Sequence, residues 1–158
     1  MRLRLQILLL TLALTSQALS KAAPHSALIS PEAVQGCYEI GKLAWHPKFE
    51  GEDLVFIAPP ERIQILAERG AQGHEKDEYL VRPAPGFPKS IHRYSFWRPT
   101  GSHSLEIVWT TGLSGLTMRL KLDRDTLKGK AKPFWDFPFG RRPSARVLAQ
   151  KVDCATDH

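Results

Sequence analysis

The sequence predicts an all-β fold: an antiparallel up-and-down barrel of about eight strands. Three observations point there. Residues 90–137 read as four strands joined by three tight turns, and their side-chain faces agree across the turns. The rest of the chain supplies short alternating runs and no convincing helix. Finally, Cys37 and Cys154 lie near the two ends, where a meander that closes on itself brings its first and last strands together.

Residues 1–20 stand apart from this pattern. Arg2 and Arg4 precede an apolar run over 5–14, and Ala18-Leu19-Ser20 offers small residues for cleavage. That is the layout of a secretory signal peptide, too short for a membrane span. Its removal leaves a mature chain of about 138 residues, one domain's worth. Losing the two arginines lowers the formal charge from +6 to about +4. A balance this mild argues against nucleic acid as a partner. A secreted or periplasmic address follows, and with it a Cys37–Cys154 disulfide. Val34-Gln35-Gly36-Cys37 faintly resembles a lipobox, but Gln35 suits it poorly and the motif lies far beyond the apolar run. Structural pairing is the preferred reading.

Residues 21–35 form a small, polar, Pro-containing lead-in, expected to be flexible. The barrel domain is expected over 36–154, with a tail at 155–158. Strand one runs over 36–43 with Tyr38 and Ile40 on its apolar face. Residues 44–60 make a long connection carrying Trp45, Phe49 and Leu54-Val55-Phe56-Ile57, either a packed loop over a barrel end or a lid. Ile63 and Ile65 point inward from the alternating run 62–67, a polar turn follows over 68–78, and 79–82 is a short strand. Three prolines make 83–88 a loop.

The four-strand meander comes next. Gly112-Leu113 has the Gly-first pattern of a type II′ turn, which sets Trp109 opposite Leu116, Ile107 opposite Met118 and Leu105 opposite Leu120. A turn at Arg124-Asp125 sets Leu122 opposite Leu127, Leu120 opposite Gly129 and Met118 opposite Ala131. Folding back over 99–102 sets Phe96 against Leu105, Tyr94 against Ile107 and His92 against Trp109. The other face then carries Arg93, Glu106, Thr117, Arg119, Lys121, Lys128, Lys130 and Lys132. Residues 138–143 break the pattern, and 144–153 form a last strand. With the cysteines outside, Ala145, Val147 and Ala149 point inward and Arg146, Leu148 and Gln150 outward.

Gly36-Cys37-Tyr38 at strand one, the long first loop, the terminal cysteine pair and the strand count together resemble the calycins, the lipocalin and fatty-acid-binding-protein group. That resemblance implies a small barrel holding a small ligand. Residues 92–99, with Leu105-Glu106 and Thr111-Gly112, also look like nitrobindin-type haem barrels. Those proteins ligate iron through a histidine near their C-terminus. The last strand here has none, and His158 lies beyond Cys154. No cofactor is expected.

No hydrolase elbow, phosphate-cradling glycine loop or metal-spaced His/Cys pair is present in the sequence, so catalysis is not expected. Non-catalytic binding is expected instead, first in the barrel interior and, as the alternative with that interior filled, on the outer surface. The interior is lined by His92, Tyr94, Phe96, Leu105, Ile107, Trp109, Met118 and Leu120, and suited to a small apolar or amphipathic ligand. There His92 and Tyr94 either orient a polar head or are satisfied core groups. Inward Gly129, Ala131, Ala145 and Ala149 either leave room or accommodate large residues opposite. The alternative surface is the outer basic stripe of Arg119, Lys121, Lys128, Lys130 and Lys132, suited to an anionic lipid or polysaccharide. Residues 135–139, Trp-Asp-Phe-Pro-Phe, read as a barrel-end plug or pocket mouth, with Arg141 and Arg142 near its rings. A monomer is expected.

Overall fold

The wall of the molecule is one antiparallel sheet that closes on itself. The computed structural model describes residues 27–46, 59–70, 77–86, 95–135 and 143–154. A single helical turn, α1 (Pro31–Val34), precedes β1 (Gly36–Ile40), β2 (Ala44–His46), β3 (Arg62–Arg69), β4 (Tyr79–Pro83) and β5 (Phe96–Gly101). The meander continues through β6 (Ser104–Thr110), β7 (Ser114–Asp123), β8 (Thr126–Trp135) and β9 (Ser144–Val152). Neighbours run in chain order from β3 to β9, and β1 pairs with both β3 and β9, which closes an eight-strand barrel. The extra strand β2 continues β1 along β9. Pairing passes from Ile40↔Ala149 to Trp45↔Ala145, so an irregularity between them keeps both Ile40 and Trp45 on the inner side. Cys37 and Cys154 are bonded, Cα to Cα 5.2 Å apart, and tie the start of β1 to the chain just past β9.

Two of the three expected meander turns hold in full. Trp109↔Leu116, Ile107↔Met118 and Leu105↔Leu120 pair across β6–β7, and Gly112 takes the positive φ (104°) that its turn requires. Leu122↔Leu127, Leu120↔Gly129 and Met118↔Ala131 pair across β7–β8. The third turn is corrected. β5 runs through Pro99 to Gly101, and its register shifts between those residues. Proline is tolerated at such an irregularity, so the strand continues past Pro99 instead of turning there. Phe96 therefore faces Val108 rather than Leu105, and lies on the outer side. Trp97 takes the inner position opposite Ile107 and is fully buried. Its Nε1 donates to the Leu66 carbonyl at 2.9 Å, and its ring stacks on Tyr79 at 4.9 Å. His92, Arg93 and Tyr94 lie outside the described residues, as do the signal segment, Phe49, residues 54–57, 136–142 and the tail 155–158.

The end of the barrel that holds the β5–β6 and β7–β8 turns is shut by the segment read as a flexible lead-in. Ser30 caps α1 and Pro31 opens it, a start signal present in the sequence. Val34 is fully buried and Ile29 nearly so. Tyr38 Oη donates to the Val34 carbonyl at 2.8 Å, and the Ile29 amide donates to the Gly101 carbonyl at 2.9 Å. Inside, Tyr38, Ile63, Ile65, Trp97, Leu105, Ile107, Trp109, Leu116 and Met118 form one cluster, each at most 1% exposed. The inward glycine at 129 does not leave space. A Cβ there would run into the Arg119 carbonyl and come within 3.0 Å of Leu120 Cα, so β7 backbone fills the position.

Candidate functional site: the basic outer wall

Strand alternation that sends Leu105, Ile107, Trp109, Met118 and Leu120 inward sends their neighbours out, and register then decides which outward charges meet. One transverse row runs Arg98 on β5, Glu106 on β6, Arg119 on β7, Lys130 on β8 and Arg146 on β9, each opposite the next. Glu106 is clamped on both sides. Arg98 Nη2 lies 2.7 Å from Oε1 and Arg119 Nε 2.8 Å from Oε2. Burial alone pushes the Glu106 carboxyl up, but the hydrogen bonds and charges of Arg119 and Arg98 outweigh it and hold the group below its ordinary value. Glu106 thus stays ionised beneath two guanidinium groups. Arg119 remains well exposed, but part of its charge is spent within the wall.

Among the described residues the next strands offer one such offset, at Lys128. Lys130 faces Arg119 on one side and Arg146 on the other, and Lys121 faces Lys128. Lys128 is bridged to Asp123 at 3.0 Å. Lys121, Lys130, Lys132 and Arg146 are all exposed, and none has a carboxylate partner among the described residues. Like charges opposed across a ladder cost stability, so this face carries an uncompensated positive field. All five stripe residues read from the sequence lie on this wall. Arg146, placed outward there but left out of the stripe, belongs to it. Glu106 was read as an outer residue; its clamp requires the true β5 register, which puts Arg98 beside it.

The interior set divides. Leu105, Ile107, Trp109, Met118 and Leu120 line the core together, Phe96 does not, and Trp97 stands in its place. Side chains this deeply buried have no water-sized void beside them. Two hollows among the described residues lie elsewhere. One of ≈ 280 Å³, mostly apolar, sits at the barrel end opposite α1 between Ile40, Leu43, Trp45 and Pro59-Pro60. The other, ≈ 450 Å³ and mostly polar, surrounds the β7–β8 turn between Asp123, Arg124, Asp125, Thr126, Lys128 and Gln150. Among the described residues no three His, Cys, Asp or Glu side chains are grouped to hold a metal ion. No protein-family model, curated protein or solved structure matches this chain.

Proposed function

We propose that this chain is an exported, non-catalytic β-barrel of calycin-like build that works through its outer basic wall, docking on an anionic partner such as phospholipid or acidic polysaccharide. The observation that carries this reading is the direct opposition of Lys130 and Arg146, flanked by Lys121 and Lys132, with no carboxylate to offset them among the described residues. The packed cluster around Trp97, Trp109 and Met118 favours a surface over an interior site. The disulfide is in keeping with an oxidising, secreted or periplasmic setting. The test is charge reversal of Lys130 and Arg146 to Glu together. Retention of the double variant on anionic vesicles or immobilised polyanion should fall, and wild-type retention should fade with salt. Retention equal to wild type on both supports would reject the wall as the working surface.

A second reading, the barrel as carrier of a small apolar or amphipathic molecule, draws support from the ≈ 280 Å³ hollow beside Trp45. Native mass spectrometry of protein purified from its host should show a co-purifying mass if that reading holds.

A further inference from the structure

The basic wall does not end in solvent. Down β8, Lys132, Lys130 and Lys128 follow one another on the outer face, about 7 Å apart, since each strand residue rises about 3.4 Å. Lys128 then forms part of the polar hollow of ≈ 450 Å³ at the β7–β8 turn. There the chemistry changes. Asp123 and Asp125 flank Arg124, which holds a left-handed backbone (φ 55°), and Thr126 Oγ1 donates to Gln150 Oε1 at 2.9 Å. A strip of cations thus runs into a hollow where Arg124 and Lys128 meet the Asp123 and Asp125 carboxylates and the Gln150 amide, with Asp123 already bridged to Lys128.

These two halves ask different things of one occupant. Lys130, Lys132 and Arg146 attract anions. The Asp125 carboxylate repels them, and accepts hydrogen bonds from hydroxyl groups instead. An anionic bilayer would press its phosphates onto Asp125 as well as onto the lysines. This wall also lacks an apolar wedge, for among the described residues Leu148 is its only exposed large hydrophobic side chain. Nor, among the described residues, does a large exposed aromatic accompany the cations to stack a nucleobase. A chain carrying both hydroxyl groups and spaced negative charges satisfies both halves.

Resting on the proposed basic-wall function, we infer that the partner is a linear acidic polysaccharide. Its carboxylate or sulfate groups lie along Lys130, Lys132 and Arg146, and one of its sugar rings lies in the hollow against Asp125 and Gln150.

The sign of one substitution separates this from plain charge attraction. Asp125→Asn removes a negative charge, which tightens any purely electrostatic contact with an anion. If Asp125 accepts from a sugar hydroxyl, the same change weakens binding. The wild-type protein, Asp125→Asn and Gln150→Ala are titrated with polygalacturonate, with heparin and with phosphatidylglycerol vesicles, circular dichroism confirming the fold of each. Both variants should bind one or both polysaccharides about two- to tenfold more weakly, the worth of a hydrogen bond, while Asp125→Asn binds vesicles no more weakly than wild type. Unchanged or tighter polysaccharide binding by Asp125→Asn would overturn the polysaccharide assignment and leave the basic wall standing. Unaltered binding of every probe by the Lys130→Glu, Arg146→Glu double variant would overturn the wall itself.

Discussion

Lys130 on β8 and Arg146 on β9 stand directly opposite each other on the outer wall, while one strand away Arg119 is held by the buried carboxylate of Glu106. One row of the sheet therefore contains both a neutralised and an uncompensated cation. The difference between them gives the wall its direction: charge is offset toward β5–β6 and open toward β8–β9.

Removing the Glu106 charge should move stability and binding in opposite directions. Glu106→Gln leaves Arg98 and Arg119 without their shared anion and should cost about 1–3 kcal/mol in chemical denaturation. It also frees Arg119, so polyanion retention should rise. Because the folded-state acidity of Glu106 lies below its ordinary 4.5, its contribution is present above that value and is lost as pH falls through the lower one. The acid-side loss of stability should be shallower in the variant. Weaker polyanion retention by Glu106→Gln would count against the wall.

The corrected β5 register makes its own prediction. Trp97→Ala should cost about 3–5 kcal/mol, as for a large aromatic deleted from a packed core. Phe96→Ala, half-buried on the outer side, should cost clearly less. Equal or reversed losses in urea denaturation would return Phe96 to the interior.

Tyr38 anchors α1 to the barrel. Its hydroxyl is pushed up to about 12, chiefly by burial and then by the nearby Asp125 charge. The neutral form is thus favoured in the fold. Stability from this group is intact below the ordinary value of 10.0, declines as pH rises past it and is gone above about 12. Tyr38→Phe should cost about 1–3 kcal/mol at neutral pH by stranding the Val34 carbonyl, and should flatten the alkaline decline. An alkaline profile identical to wild type would remove Tyr38 from that role.

Replacing Cys37 and Cys154 together by Ser should lower stability by about 2–5 kcal/mol. Pairing of β1 with β9 should persist, since Tyr38↔Lys151 and Ile40↔Ala149 are independent of the bond. Loss of the nuclear Overhauser contacts between those strands would show that the disulfide, not the ladder, closes the barrel.

Much of the wall was legible because period-2 alternation and short turns constrain each other. Gly112 and Arg124 sit at turns whose flanking strands alternate cleanly, so β6, β7, β8 and β9 and their outward lysines followed. The fold-back over 99–102 began too early, since proline is tolerated at a bulge as well as at a turn, and only the partner in β6 decides between them. An odd register shift then exchanged Phe96 with Trp97 and hid the Arg98–Glu106 clamp. α1 was missed although Ser30-Pro31 announces it, because a single turn gives too little periodicity to register. The hollow at the β7–β8 turn needs Gln150 from β9, a contact between residues far apart in the chain.

The central claim is that the molecule works through its outer basic wall, and amide chemical-shift mapping tests it most directly. Polygalacturonate, heparin and short-chain phosphatidylglycerol are titrated into the labelled protein. Whichever of them binds, saturable shifts are expected at residues 128–132 and at Arg146, with Ile40 and Trp45 unmoved. Shifts confined to the end between Ile40, Trp45 and Pro60, or none from any of the three, would contradict the account.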